Sequence, residues 1–218
     1  SKIPFLVGIN LTNKKAFYYK FNLLGFSELI EIKSTDTPID IATSQTGEIF
    51  ILYKHRLDFY QYNFEKNSLK KNKSTHLKKG LKLSSNHKSL LGIIDNNSIL
   101  IYKFKKQSLS YLSHLSKKIN AIIKDELLVN INISTNKTIT IVTKKNIYFI
   151  SEKGKLNTKI NNTKNINLID STEFSDIIIG SKQSKLLYKY TQDGTELFNH
   201  HFNELNTPPI NFNIYKPY

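Results

Sequence analysis

Residues 184–202, SKLLYKYTQDGTELFNHHF, decide the fold. Two apolar runs, Leu186 to Tyr190 and Leu197 to Phe202, flank Gln192-Asp193-Gly194-Thr195. The stretch reads as a β-hairpin: Asp-Gly supplies the positive φ that a tight turn requires, and branched and aromatic residues favour a pleated surface. The pattern recurs. Turn residues Gly25, Asn67, Gln107, Gly154 and Gly194 are each followed within four positions by a leucine: Leu29, Leu69, Leu109, Leu156 and Leu197. The steps between them are 42, 40, 47 and 40 residues.

A period of that size with several short strands per repeat is the signature of β-propeller blades. The fold class expected is therefore all-β, with about five four-stranded blades. Their spans are 1–35 plus 209–215, 38–76, 80–115, 118–162 and 165–204, in a single domain. The first repeat has three strands, Phe5 to Asn10, Phe17 to Phe21 and Phe26 to Lys33. The alternating segment Ile210, Phe212, Ile214 after the Thr207-Pro208-Pro209 break is expected to close that blade, which removes exposed edges. A six- or seven-bladed parent, or an open arc, is the alternative. In the fourth repeat, Ile119 to Lys124 is expected as the first strand, with Leu109 to Ser113 closing the third. An insertion around Ser134 to Lys137 is expected to account for the 47-residue step.

Middle strands support blades over an open sandwich. Ile49 to Tyr53, Ile99 to Tyr102 and Ile147 to Ile150 are apolar on both faces, as expected where neighbours cover both sides of a sheet. Outer strands such as Leu69 to Lys73 are rich in lysine, which keeps a solvated edge from pairing with another chain.

The repeated strand, turn and Gly-x-Leu hairpin resemble β-propellers of the WD40-like, NHL-like and quinoprotein-like groups over essentially the whole chain. The resemblance implies a fold and no particular activity. No tryptophan is present to end a blade with Trp-Asp, and quinoprotein docking motifs need tryptophans and cysteines that are absent. A sialidase-like arginine cluster is excluded by the single arginine, Arg56.

The chain has no cysteine, so disulfides, thiolate metal sites and thiol nucleophiles are excluded and the compartment stays open. No run of about 18 apolar residues suggests a membrane span. The start at Ser1, with no Met anywhere, points to a mature or truncated form. Six histidines lack ligand spacing, and His200 and His201 point to opposite sides of a strand; no metal and no cofactor are expected. Glycosidase propellers place paired carboxylates at the ring centre. Asp40 and Asp170, both on expected first strands, are the channel carboxylates to check.

Lysine plus arginine number 32 against 17 acids, a net charge of +15. Abundant Lys, Asn and Ile is also what an AT-biased coding sequence produces, so charge alone does not establish an anionic partner. The basic signal is concentrated, however: between Lys66 and Lys124 the sole acid is Asp95. Lys70, Lys71, Lys73, Lys78, Lys79 and Lys82 form the expected patch for an anionic partner.

The expected function is a non-enzymatic scaffold or assembly subunit that presents loops to an acidic protein partner. The alternatives are an accessory protein on an RNA or DNA backbone or an anionic membrane surface, and a carbohydrate-active or carbohydrate-binding propeller.

Overall fold

A computed structural model describes residues 5–10, 12–20, 28–44, 46–63, 66, 68–86, 88–105, 108–172, 176–181 and 186–201. The chain is a β-propeller of five antiparallel sheets, one with three described strands and four with four. Blade 1 is β1 (Phe5–Asn10), β2 (Lys15–Lys20) and β3 (Leu29–Ile32). Blade 2 is β4 (Pro38–Thr43), β5 (Glu48–Tyr53), β6 (Arg56–Asn63) and β7 (Ser68–His76). Blade 3 is β8 (Gly80–Ser85), β9 (Leu90–Asp95), β10 (Ser98–Lys105) and β11 (Ser108–Tyr111), followed by α1 (Ser113–Ile122). Blade 4 is β12 (Leu128–Ile133), β13 (Ile139–Thr143), β14 (Asn146–Ile150) and β15 (Leu156–Asn161). Blade 5 is β16 (Leu168–Ser171), β17 (Ile177–Gly180), β18 (Leu186–Tyr190) and β19 (Glu196–His201). The expected closing strand at 209–215 lies outside the described residues.

The first strands touch one another in chain order, β4 to β8, β8 to β12 and β12 to β16, and are therefore innermost. Each interface between blades holds its own apolar cluster. Ile49, Ile51 and Tyr53 meet Ala16, Tyr18 and Ile32 of blade 1. Phe50, Leu52 and Phe59 meet Leu91, Ile93 and Phe104 of blade 3. The two faces of β5 thus serve two different cores, which is why every residue from Glu48 to Tyr53 is buried and the run shows no apolar alternation. Phe50 stacks on Phe59 at 5.2 Å between ring centroids and tilts against Phe104 at 5.0 Å.

The turn in the opening stretch is one of a set. In Ser44–Glu48, Ser134–Thr138, Ser151–Lys155 and Thr191–Thr195 the first N–H bonds the fifth carbonyl and the fourth N–H bonds the first carbonyl. The fourth residue, Gly47, Lys137, Gly154 or Gly194, has positive φ. At Gly194 (φ +90) that conformation suits glycine. Ser134 to Lys137 is therefore an ordinary turn of the repeat rather than the expected insertion.

The extra residues of the 47-residue step form α1. Ile119 to Ile122, expected as strand, is helical, β11 ends at Tyr111, and the boundary expected between 115 and 118 falls inside the helix. The reason is periodicity. Leu112, Leu115, Ser116, Ile119, Ile122 and Ile123 recur at three- and four-residue spacing and turn toward the core between blades 3 and 4. The helix takes over the outer edge of β10 where β11 ends. Asn120 works there as a substitute strand residue: its Oδ1 accepts the N–H of Ile99 at 2.8 Å and its Nδ2 donates to the Ile99 carbonyl at 2.8 Å. Ser116 Oγ accepts the N–H of Ile101 at 2.9 Å. Among the described residues, no helix is long and apolar enough to cross a membrane.

Replacing Asn120 with Ala strips two partners from the β10 edge and is expected to cost about 2 kcal/mol in urea denaturation. Lys117→Ala, on the solvent side of α1, is expected to change stability by less than about 0.5 kcal/mol.

Candidate interaction face

A four-stranded meander sends its turns alternately to two ends. Turns between second and third strands, and the connections between blades, emerge on one face of the ring, here called the connection face. Turns between first and second and between third and fourth strands emerge on the other, the turn face.

The connection face carries exposed lysines from every described blade boundary. They are Lys14 and Lys33 at blade 1, Lys54, Lys78 and Lys79 at blade 2, Lys124 after α1, and Lys144, Lys145 and Lys164 around blade 4. Of the acids on that face, Asp95 and Glu126 are turned inward. Asp95, 7% exposed, accepts the backbone N–H of Lys78 at 3.1 Å and of Lys79 at 2.6 Å. Its carboxylate fixes the loop that presents the two ammonium groups. Asp36 is paired with Arg56 at 2.8 Å. Glu126 accepts from Asn146 Nδ2 and the Tyr148 hydroxyl, each at 2.6 Å, and from the Thr143 hydroxyl. Asp125 stays exposed, at φ +61. The turn face is mixed in sign: Lys137 pairs with Glu152 at 2.8 Å, Lys189 with Asp176 at 2.7 Å, and Asp193 stands exposed in its turn.

The six lysines expected as one patch are divided by the fold. Lys78 and Lys79 lie on the connection face. Lys82 lies on the innermost strand β8, 3.7 Å from Asp40. Lys70, Lys71 and Lys73 lie on β7, the outermost strand of blade 2. Lys71 Nζ is 2.8 Å from Asp58 Oδ2, and Lys73 Nζ donates to the Leu109 carbonyl of blade 3 at 3.3 Å. Lys70 stands opposite Gln61.

Asp40 sits on the first strand of blade 2 and Asp170 on that of blade 5, and each is tied to a neighbouring blade. Asp40 Oδ2 accepts the N–H of Leu83 in blade 3 at 3.1 Å; Asp170 Oδ1 accepts from Asn132 in blade 4 at 3.4 Å. They belong to a series of polar ties between first strands. Ser84 Oγ accepts the N–H of Ile133 at 2.9 Å, and Asn130 Nδ2 donates to the Asn167 carbonyl at 3.0 Å.

One charged group escaped the sequence reading. Arg56 and Asp58 alternate on β6 and so share a side, where a cleft of about 480 Å³ opens between blades 1 and 2. Asp58, 1% exposed, pairs with Arg56 Nε at 2.9 Å and Lys71 Nζ at 2.8 Å and accepts from Ser74 Oγ at 2.7 Å. Arg56 also donates to Ser34 at 3.2 Å and lies 4.5 Å from the Tyr53 ring centroid. Burial first, then the nearby Tyr53 and Asp58 charges, pushes the Tyr60 hydroxyl above its ordinary range. Charges here are matched from within, so the cleft acts as a clasp between blades. The signal was Arg56-Leu57-Asp58, opposite charges two apart on a strand. Among the described residues, no group of three His, Asp or Glu side chains is placed to hold a metal ion.

No family model and no curated protein matches the chain. Solved structures match its fold. Virginiamycin B lyase from Staphylococcus aureus, a seven-bladed propeller, aligns with TM-score 0.62 at 13% identity over 96% of this chain and 77% of that one. A protein from Lactobacillus plantarum aligns with TM-score 0.63 at 12% identity, covering 90% and 68%. A functionally unknown protein from Desulfotomaculum acetoxidans aligns with TM-score 0.61 at 16% identity, covering 89% and 67%. At these identities the likeness is one of fold.

Burial raises the Glu126 pKa, but the bonds from Thr143, Tyr148 and Asn146 outweigh it and leave the carboxyl below its ordinary 4.5. Burial and that carboxylate push the Tyr148 hydroxyl up to about 12. A depressed carboxyl pKa adds stability that is complete at neutral pH, fades as pH falls below the ordinary value and is gone beneath the folded-state value. Urea midpoints from pH 7 to pH 3 are therefore expected to fall more steeply for the native chain than for Glu126→Gln, the two curves meeting at the acid end. Parallel curves would remove the ionic part of this clamp.

Proposed function

We propose that the protein is a non-enzymatic binding module, a rigid ring that holds its connection face to an acidic protein partner. The supporting observation is the charge contrast between the two faces. On the connection face exposed lysines stand at every described blade boundary while Asp95 is buried and Glu126 is held by internal bonds; on the turn face Lys66, Lys88, Lys153 and Lys155 share the surface with exposed Glu152 and Asp193. Such a surface raises the encounter rate with an anionic partner and rejects a cationic one. The ties made by Asp40 and Asp170 support a structural role for both carboxylates. Virginiamycin B lyase shows that this architecture also carries catalysis, and a lyase reading here would need a reacting group beyond those two carboxylates.

The test is retention on immobilised poly-glutamate at low salt. Reversing Lys78, Lys79, Lys144 and Lys145 to Glu is expected to abolish retention, and reversing Lys66, Lys88, Lys153 and Lys155 on the turn face to leave most of it. Equal losses would sink the assignment of the face. Should the native chain bind poly-uridylate RNA with a steep salt dependence while ignoring poly-glutamate, the partner is a nucleic-acid backbone instead.

A further inference from the structure

Within the lysine rim the fold repeats a feature that charge does not explain. The first strand of blades 2, 3 and 4 has a β-bulge at the same step. The register slips between Pro38 and Asp40, between Gly80 and Lys82, and between Leu128 and Asn130. The extra residue is apolar each time: Ile39, Leu81 and Val129, of which Val129 packs against the cluster between blades 4 and 5 and the other two are exposed. Ile39 is 42% exposed and Leu81 36%, and Leu127, one residue before β12, is 54% exposed. A bulge re-aims a side chain out of the regular alternation and is over-represented beside functional sites. In blade 3 the slip depends on glycine. A Cβ at Gly80 would lie 2.7 Å from the Tyr53 carbonyl oxygen, and the Gly80 N–H donates to the Lys54 carbonyl at 2.7 Å.

First strands are innermost and enter from the connection face, and Asp40 lies 3.7 Å from Lys82, so Ile39 and Leu81 stand side by side on neighbouring innermost strands at the end that carries the lysines. Exposed apolar side chains held together by backbone geometry and rimmed by cations have the composition of a binding hot spot, an apolar centre in a polar ring. We propose that this collar receives an apolar side chain from an acidic segment of a partner protein, whose flanking Asp or Glu residues meet Lys78, Lys79, Lys144 and Lys145. The inference rests on the charge reading of the connection face and adds the anchor. A protruding peptide fits better than a flat bilayer for a geometric reason. Ile39 and Leu81 lie within strands while the lysines lie on loops beyond the strand ends, so a planar surface meets ammonium groups before it reaches the collar. Arg56, the single arginine, is occupied by Asp36 and Asp58, which leaves the rim to point-charge lysines suited to carboxylates in varied orientations.

The experiment is selection of random dodecapeptides displayed on phage against the immobilised full chain, followed by anisotropy with synthetic copies of the winners. Enriched peptides are expected to carry an aliphatic or aromatic residue flanked by Asp or Glu. Leu81→Ser and Ile39→Ser are each expected to weaken the best peptide about tenfold, the scale of a lost aliphatic burial. Lys78→Glu with Lys79→Glu should abolish binding. Both serine variants alter exposed side chains, and unchanged thermal midpoints will show that they fold. Acidic peptides without an apolar residue, lysine-dependent but indifferent to Leu81→Ser, would overturn the collar and leave the charge reading standing. No enrichment, or binding indifferent to all these changes, would overturn both. Sedimentation with phosphatidylserine vesicles that Leu81→Ser abolishes, without peptide binding, would give the collar to lipid and overturn the proposal.

Discussion

A sheet of four short strands that is apolar on both sides has no stable existence alone, and this constraint shapes the molecule. β5, β9, β13 and β14 are buried at every position. Each blade can lose one greasy face only against the blade before it and the other only against the blade after it. The result is one apolar cluster per interface and contact between consecutive first strands. Stability is therefore shared in series, each blade depending on its neighbours.

That arrangement leaves two strand edges per blade without a backbone partner, and the chain treats them differently. At the inner edge, where first strands converge, side chains do the pairing: Asp40 takes the N–H of Leu83, and Ser84 takes the N–H of Ile133. At the outer edge of blade 2 lysines on β7 keep the strand solvated. At the outer edge of blade 3 the chain turns helical, and Asn120 supplies through one side-chain amide both bonds that a strand residue would have supplied. Polar residues near the axis thus have a structural task in the three interfaces from blade 2 to blade 5, which argues against treating a carboxylate there as a reactant because of its position.

The charge of the connection face arises from the same economy of buried groups. An inter-blade connection exposes backbone N–H groups that no strand can satisfy, and a carboxylate is a strong acceptor for them. Asp95 is drawn in to fill that need, Glu126 is held by the side chains of Thr143, Asn146 and Tyr148, and the lysines beside them are left facing solvent. A large part of the local positive field is therefore a by-product of loop construction.

The repeat, the strand content and the apolar character of the middle strands were readable along the chain because each is local. A period near forty residues, a turn residue and a run such as Ile147 to Ile150 lie within a few positions of one another. Helix α1 was local too and was obscured by competing branched residues, although Leu112, Leu115, Ile119 and Ile122 carry a helical period. The first-strand bulges were not readable, because Pro38-Ile39-Asp40 and Gly80-Leu81-Lys82 share a register and no residue motif. Nor was the division of the lysines. Lys70 to Lys82 form one cluster in sequence, yet a strand and a loop carry them from the outer rim to the central channel, and Asp58 or Asp40 meets some of them there. Sequence by itself determined how often the chain turns and which segments are too apolar to stay exposed. Tertiary structure alone decided which charges are spent inside and which remain outside, because that depends on carboxylates arriving from other strands and other blades.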